Sequence, residues 1–248
     1  KKAKETAMKL EVIPIYQDLN WIVDAHPIVP AKQAPPAWWK TLKRDSNYVS
    51  LANSGNIKTC PAIRDIINYG YIMPSWSWLE FTRTEDDILW QIGQGPLPTA
   101  LDGHSQYQIE GSPVTPLVGG GAFKLVSPWQ FKTPPGWGVI FNDPFWHYED
   151  RPIKFLSGLV RTDAYGQVNF PFEINRPMEV GEVLQVTEGT PLIHISVVPI
   201  DDTFELDVIK ATEQTDQVFR DEAASVIATS RMYYDKAVKE FDNDRSTG

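Results

Sequence analysis

Thr133-Pro134-Pro135-Gly136-Trp137-Gly138-Val139-Ile140 and, further on, Gly158-Leu159-Val160-Arg161-Thr162-Asp163-Ala164-Tyr165-Gly166-Gln167-Val168 decide how this chain is read. Each joins a short apolar run to a Pro- or Gly-bearing turn. The same alternation fills the stretch around them. Phe123–Val126, Trp129–Thr133, Gly138–Asn142, Lys154–Arg161, Gln167–Glu173, Val183–Val186 and Ile193–Ile200 read as strands. Pro134-Pro135-Gly136, Asn142-Asp143-Pro144, Tyr165-Gly166 and Glu188-Gly189-Thr190-Pro191 read as the turns between them. Short strands at even spacing build a sandwich or barrel, not βαβ units. The expected fold is mainly β.

Outward from this centre the pattern loosens. Leu10–Tyr16 alternates and reads as an opening strand. Residues 24–40 carry Pro27, Pro30, Pro35 and Pro36, which forbid ladder pairing and helix interior, so extended surface coil is expected, pinned by Trp38-Trp39-Lys40. Pro61 suits the first turn of a short helix ending near Asn68, with Tyr69-Gly70 as its stop. Tyr71–Trp78 and Glu80–Thr84 read as strands, and Ile88–Ile92 returns after the Glu85-Asp86-Asp87 turn. Residues 93–121 read as a long loop and a candidate lid. Phe219, Ala223, Val226, Ser230, Tyr233, Ala237 and Phe241 recur at three- and four-residue steps, which predicts an amphipathic helix of about seven turns. The expected organisation is an expression remnant over residues 1–7, one β-rich domain over 8–212 with its core at 123–200, and a helix over 213–242 packing on that domain or on a partner subunit.

The totals narrow the classes. The chain has 248 residues, 42% hydrophobic and 22% charged, enough to bury a core without staples. Its one cysteine, Cys60, excludes an internal disulfide and any cysteine-cluster metal site. A formal net charge of −9 argues against a nucleic-acid partner, since phosphate backbones need clustered Lys and Arg. No apolar run is long enough to span a membrane, so a cytoplasmic protein is expected, in the host cell if phage-encoded. Nine tryptophans read as core and loop plugs, or as the lining of a pocket.

The central segments resemble the dUTP pyrophosphatase and dCTP deaminase superfamily. Thr133–Ile140 is similar to its "Pro-x-Gly then strand" segment. Gly158–Val168, with Asn175 beyond, is similar to its "Gly-Val-Ile-Asp-x-Asp-Tyr-x-Gly-x-Val … Asn" turn. Glu188-Gly189-Thr190-Pro191-Leu192-Ile193-His194-Ile195 is similar to its "Lys-Gly-x-x-Ile-Ala-Gln-Leu" strand. The resemblance implies a β-clip or jelly-roll-like fold and a homo-oligomer, trimer or dimer. It does not bring the chemistry. Arg161 stands where the pyrophosphatases carry the water-orienting Asp, the Arg-Ser-Ser phosphate motif has no counterpart between Asn142 and Gly158, and the Gly-rich closing tail is absent.

A second resemblance covers more of the chain. Pro35-Pro36-Ala37-Trp38-Trp39-Lys40, Ile57-Lys58-Thr59-Cys60-Pro61, Gly70-Tyr71-Ile72-Met73-Pro74, Ser127-Pro128-Trp129, Asn169-Phe170-Pro171-Phe172 and Gly189-Thr190-Pro191 look like an uncharacterised family of marine tailed phages and bacteria. That family implies one architecture and no activity.

Two constellations are candidate sites. His147 and Glu149 would share a strand face, and with His194 they would form a two-His-one-carboxylate set for Fe(II), as in an oxygenase. On the other reading, Glu149-Asp150-Arg151 is a solvated turn and His194 a core histidine bonded to backbone. Arg161, Asp163, Tyr165, Trp137 and Arg176 form the second group, in which Arg can clamp a carboxylate or phosphate. The expected function is thus a phage-related protein binding a small ligand or a partner protein, without dUTP pyrophosphatase activity. The alternatives are a 2-oxoglutarate-type oxygenase and a virion or assembly component.

Overall fold

The computed structural model describes residues 8–43, 56–93, 101–103, 111, 123–148, 151–200, 207–214, 216–221 and 237–243. Glu149, most of the 93–121 loop and residues 222–236 lie outside them. The chain divides into two compact units, Lys1–Pro36 with Tyr69–Thr203, and Ala37–Asn68 with Phe204–Gly248.

The first unit is mainly β, as expected of a β-clip or jelly-roll-like protein. Its strands are β1 (Glu11–Pro14), β2 (Val29–Pro30), β3 (Tyr71–Pro74), β4 (Leu79–Arg83), β5 (Ile88–Ile92), β6 (Leu101–Gly103), β7 (Phe123–Lys132), β8 (Trp137–Asn142), β9 (Ile153–Phe155), β10 (Gly158–Val160), β11 (Gln167–Ile174), β12 (Val183–Val186) and β13 (Pro191–Pro199). They form three antiparallel sheets: β1-β7-β11-β9 with β6 also on β7, β10-β8-β13-β3-β2, and β12-β4-β5.

β7 is the spine of the first sheet. It pairs β1 through residues 129–132, β6 through 123–125, and β11 along its other edge. The sequence reads two strands here because Ser127-Pro128 interrupts the apolar run. The structure keeps one, with a register shift against β11 between Gln167 and Asn169. Pro128 has no N–H to give a ladder, and such a bulge is where a paired strand tolerates it. Its carbonyl still accepts from Ile15 N at 2.9 Å, and Ser127 Oγ accepts from Trp129 N at 3.0 Å.

Strand alternation builds the core. β4 runs buried–intermediate–buried with Leu79, Phe81 and Arg83 inward, and Phe170, Phe172 and Ile174 of β11 do the same. Phe81 meets Phe123 edge-on at 5.4 Å between centroids and Phe172 at 5.8 Å, while Phe123 stacks on Phe172 at 5.6 Å. Phe155 closes the group at 5.2 Å from Phe172. Each such pair adds about 0.5–1.5 kcal/mol beyond burial.

Two expectations for the flanks are corrected. The proline-rich segment does pair and does coil. Helix α1 (Ile22–Ala25) stops at His26 before Pro27, and Val29–Pro30 joins β3 as an edge strand, where proline costs no ladder bond. Helix α2 (Ala37–Thr41) starts directly after Pro36, and helix α3 (Pro61–Asn68) matches the sequence reading. In this second unit Lys58 Nζ donates to the carbonyls of Trp39 at 2.6 Å and Leu42 at 2.9 Å, a cation seated on the C-terminal carbonyls of α2.

The long C-terminal helix is not supported. Among the described residues, helical turns cover only 213–214, 216–221 and 237–243, and Phe219 and Phe241 are 64% and 62% exposed. Residues 222–236, the centre of the expected helix, lie outside the described residues.

Phe172→Ala is expected to cost about 3–5 kcal/mol, because the residue is fully buried among rings from two sheets. Tyr165→Ala, on a side chain 62% exposed, should change stability by less than about 0.5 kcal/mol. Urea unfolding of both variants checks this; equal effects would contradict the placement of the core.

Candidate functional site

The Arg161 group from the sequence does not stay together. Trp137, Arg161, Asp163 and Tyr165 gather at one end of β11, and Arg176 stands beyond its other end. The eight residues of β11 span roughly 26 Å at about 3.3 Å each.

The first cluster is a structural clasp. Trp137 N donates to Pro134 O at 3.2 Å across a turn with Pro135 and Gly136 at its centre, and Gly136 has φ +80. That is a type II geometry, which only glycine adopts without strain. Asp163 Oδ2 accepts from Gly136 N at 3.1 Å, and Arg161 grips both carboxylate oxygens, Nε to Oδ1 at 3.0 Å and Nη2 to Oδ2 at 2.9 Å. Thr133 and Thr162 hydroxyls meet at 2.7 Å beside it. The Arg161 bonds, more than the Gly136 amide, hold the Asp163 carboxyl below the usual carboxylate range. Arg161 therefore serves Asp163, and Asp163 ties the 134–136 turn to the 161–165 turn.

His194 lies in the middle of β13, opposite Asn142 on β8 and Ile72 on β3, and is fully buried. Its Nε2–H donates to Tyr69 O at 2.6 Å, so Nδ1 accepts from Ser196 Oγ at 3.2 Å. Phe145 covers the ring at 4.4 Å. Gly70, at φ +71, passes so close that a Cβ there would sit 2.3 Å from Ile195 O and 3.0 Å from the His194 ring. Both ring nitrogens thus have partners, as a core histidine requires. His147 does not lie on a strand: β8 ends at Asn142, and His147 N donates to Pro144 O at 3.3 Å in a turn. The shared-face argument for His147 and Glu149 fails with it, and Glu149 itself is outside the described residues. No group of three His, Cys, Asp or Glu side chains suited to a metal ion occurs among the described residues.

The structure points instead to a cleft of about 400 Å³ lined by Tyr148, Arg151, Pro152, Asn175, Arg176 and β12 from Val183 to Gln185. It opens where the ends of β9 and β11 meet β12 of another sheet. Arg151 forms its most unusual wall. One of the two readings of the sequence makes Glu149-Asp150-Arg151 a solvated turn, yet the Arg151 side chain is 7% exposed. Nη1 donates to Asp143 Oδ2 at 2.9 Å and Nη2 to Leu192 O at 3.2 Å, while Nε has no partner. Burial pulls the guanidinium below the ordinary arginine value and Asp143 works against that. Asp143 Oδ1 also accepts from Phe155 N at 3.0 Å, so one carboxylate joins the loop after β8 to β9. Asn175 Nδ2 donates to the Arg151 carbonyl, and Arg176 Nη2 pairs with Glu182 Oε1 at 2.5 Å. The loop that ends at Tyr148 carries Trp146 at φ +65, the one positive φ outside glycine among the described residues. Only Arg176 of this set was read from the sequence. The Asn-Asp-Pro turn that places Asp143 was visible, but its contact with Arg151 was not.

No family model matches the chain, and no curated protein matches it. Among solved structures it is similar to a Staphylococcus bacteriophage 80alpha dUTPase with dUpNHpp, at 9% identity and a TM-score of 0.36, covering 83% of this chain and 90% of that one. A dUTPase from phage phi11 of S. aureus stands at 11% identity and a TM-score of 0.36, covering 83% and 99%. Values this low do not establish a shared fold.

Two outcomes follow for stability. His194 has its folded pKa lowered, chiefly by burial and against the Tyr69 hydrogen bond, so the unfolded chain takes its proton first as pH falls. Stability is full above about pH 6.5 and declines below it, toward the lower folded value. The stability gap between the wild type and His194→Gln should narrow between pH 7 and pH 5; a constant gap would contradict the buried neutral imidazole. Asp163 has the opposite linkage, with stability present above about pH 3.9 and lost as pH falls through its lowered value. Asp163→Asn should lower the melting temperature at pH 7, and the difference from the wild type should shrink as pH falls below the usual carboxylate range; a difference that stays constant would contradict the clasp.

Proposed function

We propose that this chain is a phage-related, β-rich protein that binds a small molecule in the β9–β11–β12 cleft and does not hydrolyse dUTP. The observation that carries the binding reading is Arg151: a buried cation at a cleft wall with an unsatisfied Nε. Convergent polar groups in a concave site with a perturbed titratable residue are the features by which a ligand site is recognised.

The absence of hydrolysis is supported by the clasp at the other end of β11. Where the resemblance would put the water-orienting carboxylate, this chain has the guanidinium of Arg161, which is a donor only. Asp163, two residues on, has both oxygens engaged by Arg161 and Gly136. A carboxylate so held is a weakened base, its charged form favoured by Arg161 and the Gly136 amide. Homo-oligomerisation belongs to the same reading through the superfamily resemblance.

Incubation of the purified chain with dUTP and magnesium is expected to give no dUMP above the buffer control. Turnover at enzyme rates, on the order of 1 per second, would refute the proposal.

A further inference from the structure

We propose that the cleft between β9, β11 and β12 receives a small carboxylic acid, bound as its anion, with a compact apolar body. This rests on the ligand-binding reading above and names the ligand class.

The first support is the unpaired donor. Arg151 Nε is the one buried side-chain nitrogen or oxygen without a hydrogen-bond partner among the described residues. Native proteins pair nearly all such groups, with protein, water or ligand. Nη1 and Nη2 are anchored by Asp143 and the Leu192 carbonyl, which fixes the plane of the guanidinium. A carboxylate oxygen completes the third direction once the cleft wall opens toward Nε. Nε is out of reach of solvent, so engaging it requires a side-chain adjustment at the cleft wall.

Charge decides between carboxylate and polyphosphate. Two arginines line the site, and each already faces a carboxylate, Arg151 with Asp143 and Arg176 with Glu182. The four charges cancel. No anion meets an uncompensated cation here, and a triphosphate would bring several negative charges next to Asp143 and Glu182 where a carboxylate brings one. A single carboxylate shares the guanidinium edges that the two acids leave open, in charge-assisted bonds.

Shape sets the rest. Pro152 and Val183 give the cleft apolar surface among the polar groups of Asn175 and Gln185, while Leu184 turns from β12 into the core. A volume of about 400 Å³ lies at the small end of ligand sites, roughly 300–1,000 Å³. The occupant is therefore a compact amphipathic acid.

The test uses the full chain, amide-resolved NMR, and three probes: benzoate, its neutral isostere benzamide, and inorganic phosphate. Benzoate is expected to shift the amides of Asn175, Arg176, Leu184 and Gln185, and benzamide to bind at least about tenfold more weakly, from the loss of charge-assisted hydrogen bonds. Arg176→Gln, on a half-exposed side chain, keeps the fold and should weaken benzoate by about tenfold. Arg151→Gln puts folding at risk, so Arg176→Gln carries the decision. Benzoate and benzamide binding equally at the cleft would overturn the carboxylate assignment and leave ligand binding standing. Phosphate binding more tightly than benzoate would overturn the singly charged class. No shift at the cleft with any probe would overturn both this inference and the binding proposal.

Discussion

The contact of Phe81 with Phe123 and Phe172 is the constraint on which the rest of the β unit depends. Phe81 belongs to the β12-β4-β5 sheet, and the other two rings belong to neighbouring strands β7 and β11. A small sheet of short strands draws its stability from the apolar face it packs. Docked through Phe81 onto the spine strand, it becomes part of one core with Phe155, Leu79 and Ile88. Because β12 pairs β4 in fixed register, with Leu184 opposite Phe81, the ring contact also fixes where β12 lies. The cleft is the gap left between that strand and the ends of β9 and β11.

The polar groups around the cleft follow from the same placement. Asp143 leaves β8 and binds both Phe155 N and Arg151, so the turn after β8 and the start of β9 move as one. Phe145, two residues on, lies against His194 in the centre of its own sheet. Trp146 then adopts a left-handed backbone that costs a non-glycine residue roughly 1–2 kcal/mol. Such strain persists where the surroundings over-determine it, and here both ends of the turn are pinned. The opposite end of β11 is built on other terms: Asp163 spends its lone pairs on Arg161 and Gly136, and the result is a rigid corner.

Much of this fold was legible because the signals were local. Pro135-Gly136 marked a turn that the backbone does make, Tyr165-Gly166 fell just after the turn at 162–164, and the strands read over Glu80–Thr84 and Gln167–Glu173 are within a residue of those formed. Local rules also produced the errors. Proline density suggested unpaired coil over 24–40, but Val29–Pro30 needs one outer edge only and pairs at a sheet margin. The 214–241 periodicity promised a buried face, and no sequence pattern says what would cover Phe219 or Phe241. His147 looked strand-borne until Asn142-Asp143-Pro144 ended β8 before it. Arg151 was hidden most completely: its burial depends on Asp143, eight residues away, and on the carbonyl of Leu192, 41 residues away.

Native-state hydrogen exchange on the full chain tests the cooperative docking of the two sheets most directly. Amides of β4, β7 and β11 should be the slowest to exchange and share one opening free energy, the global one, with β12 close behind. If β4 and β12 instead exchanged through a separate, low-energy opening while β7 and β11 stayed protected, the small sheet would not be locked to the core and the cleft would not be preformed.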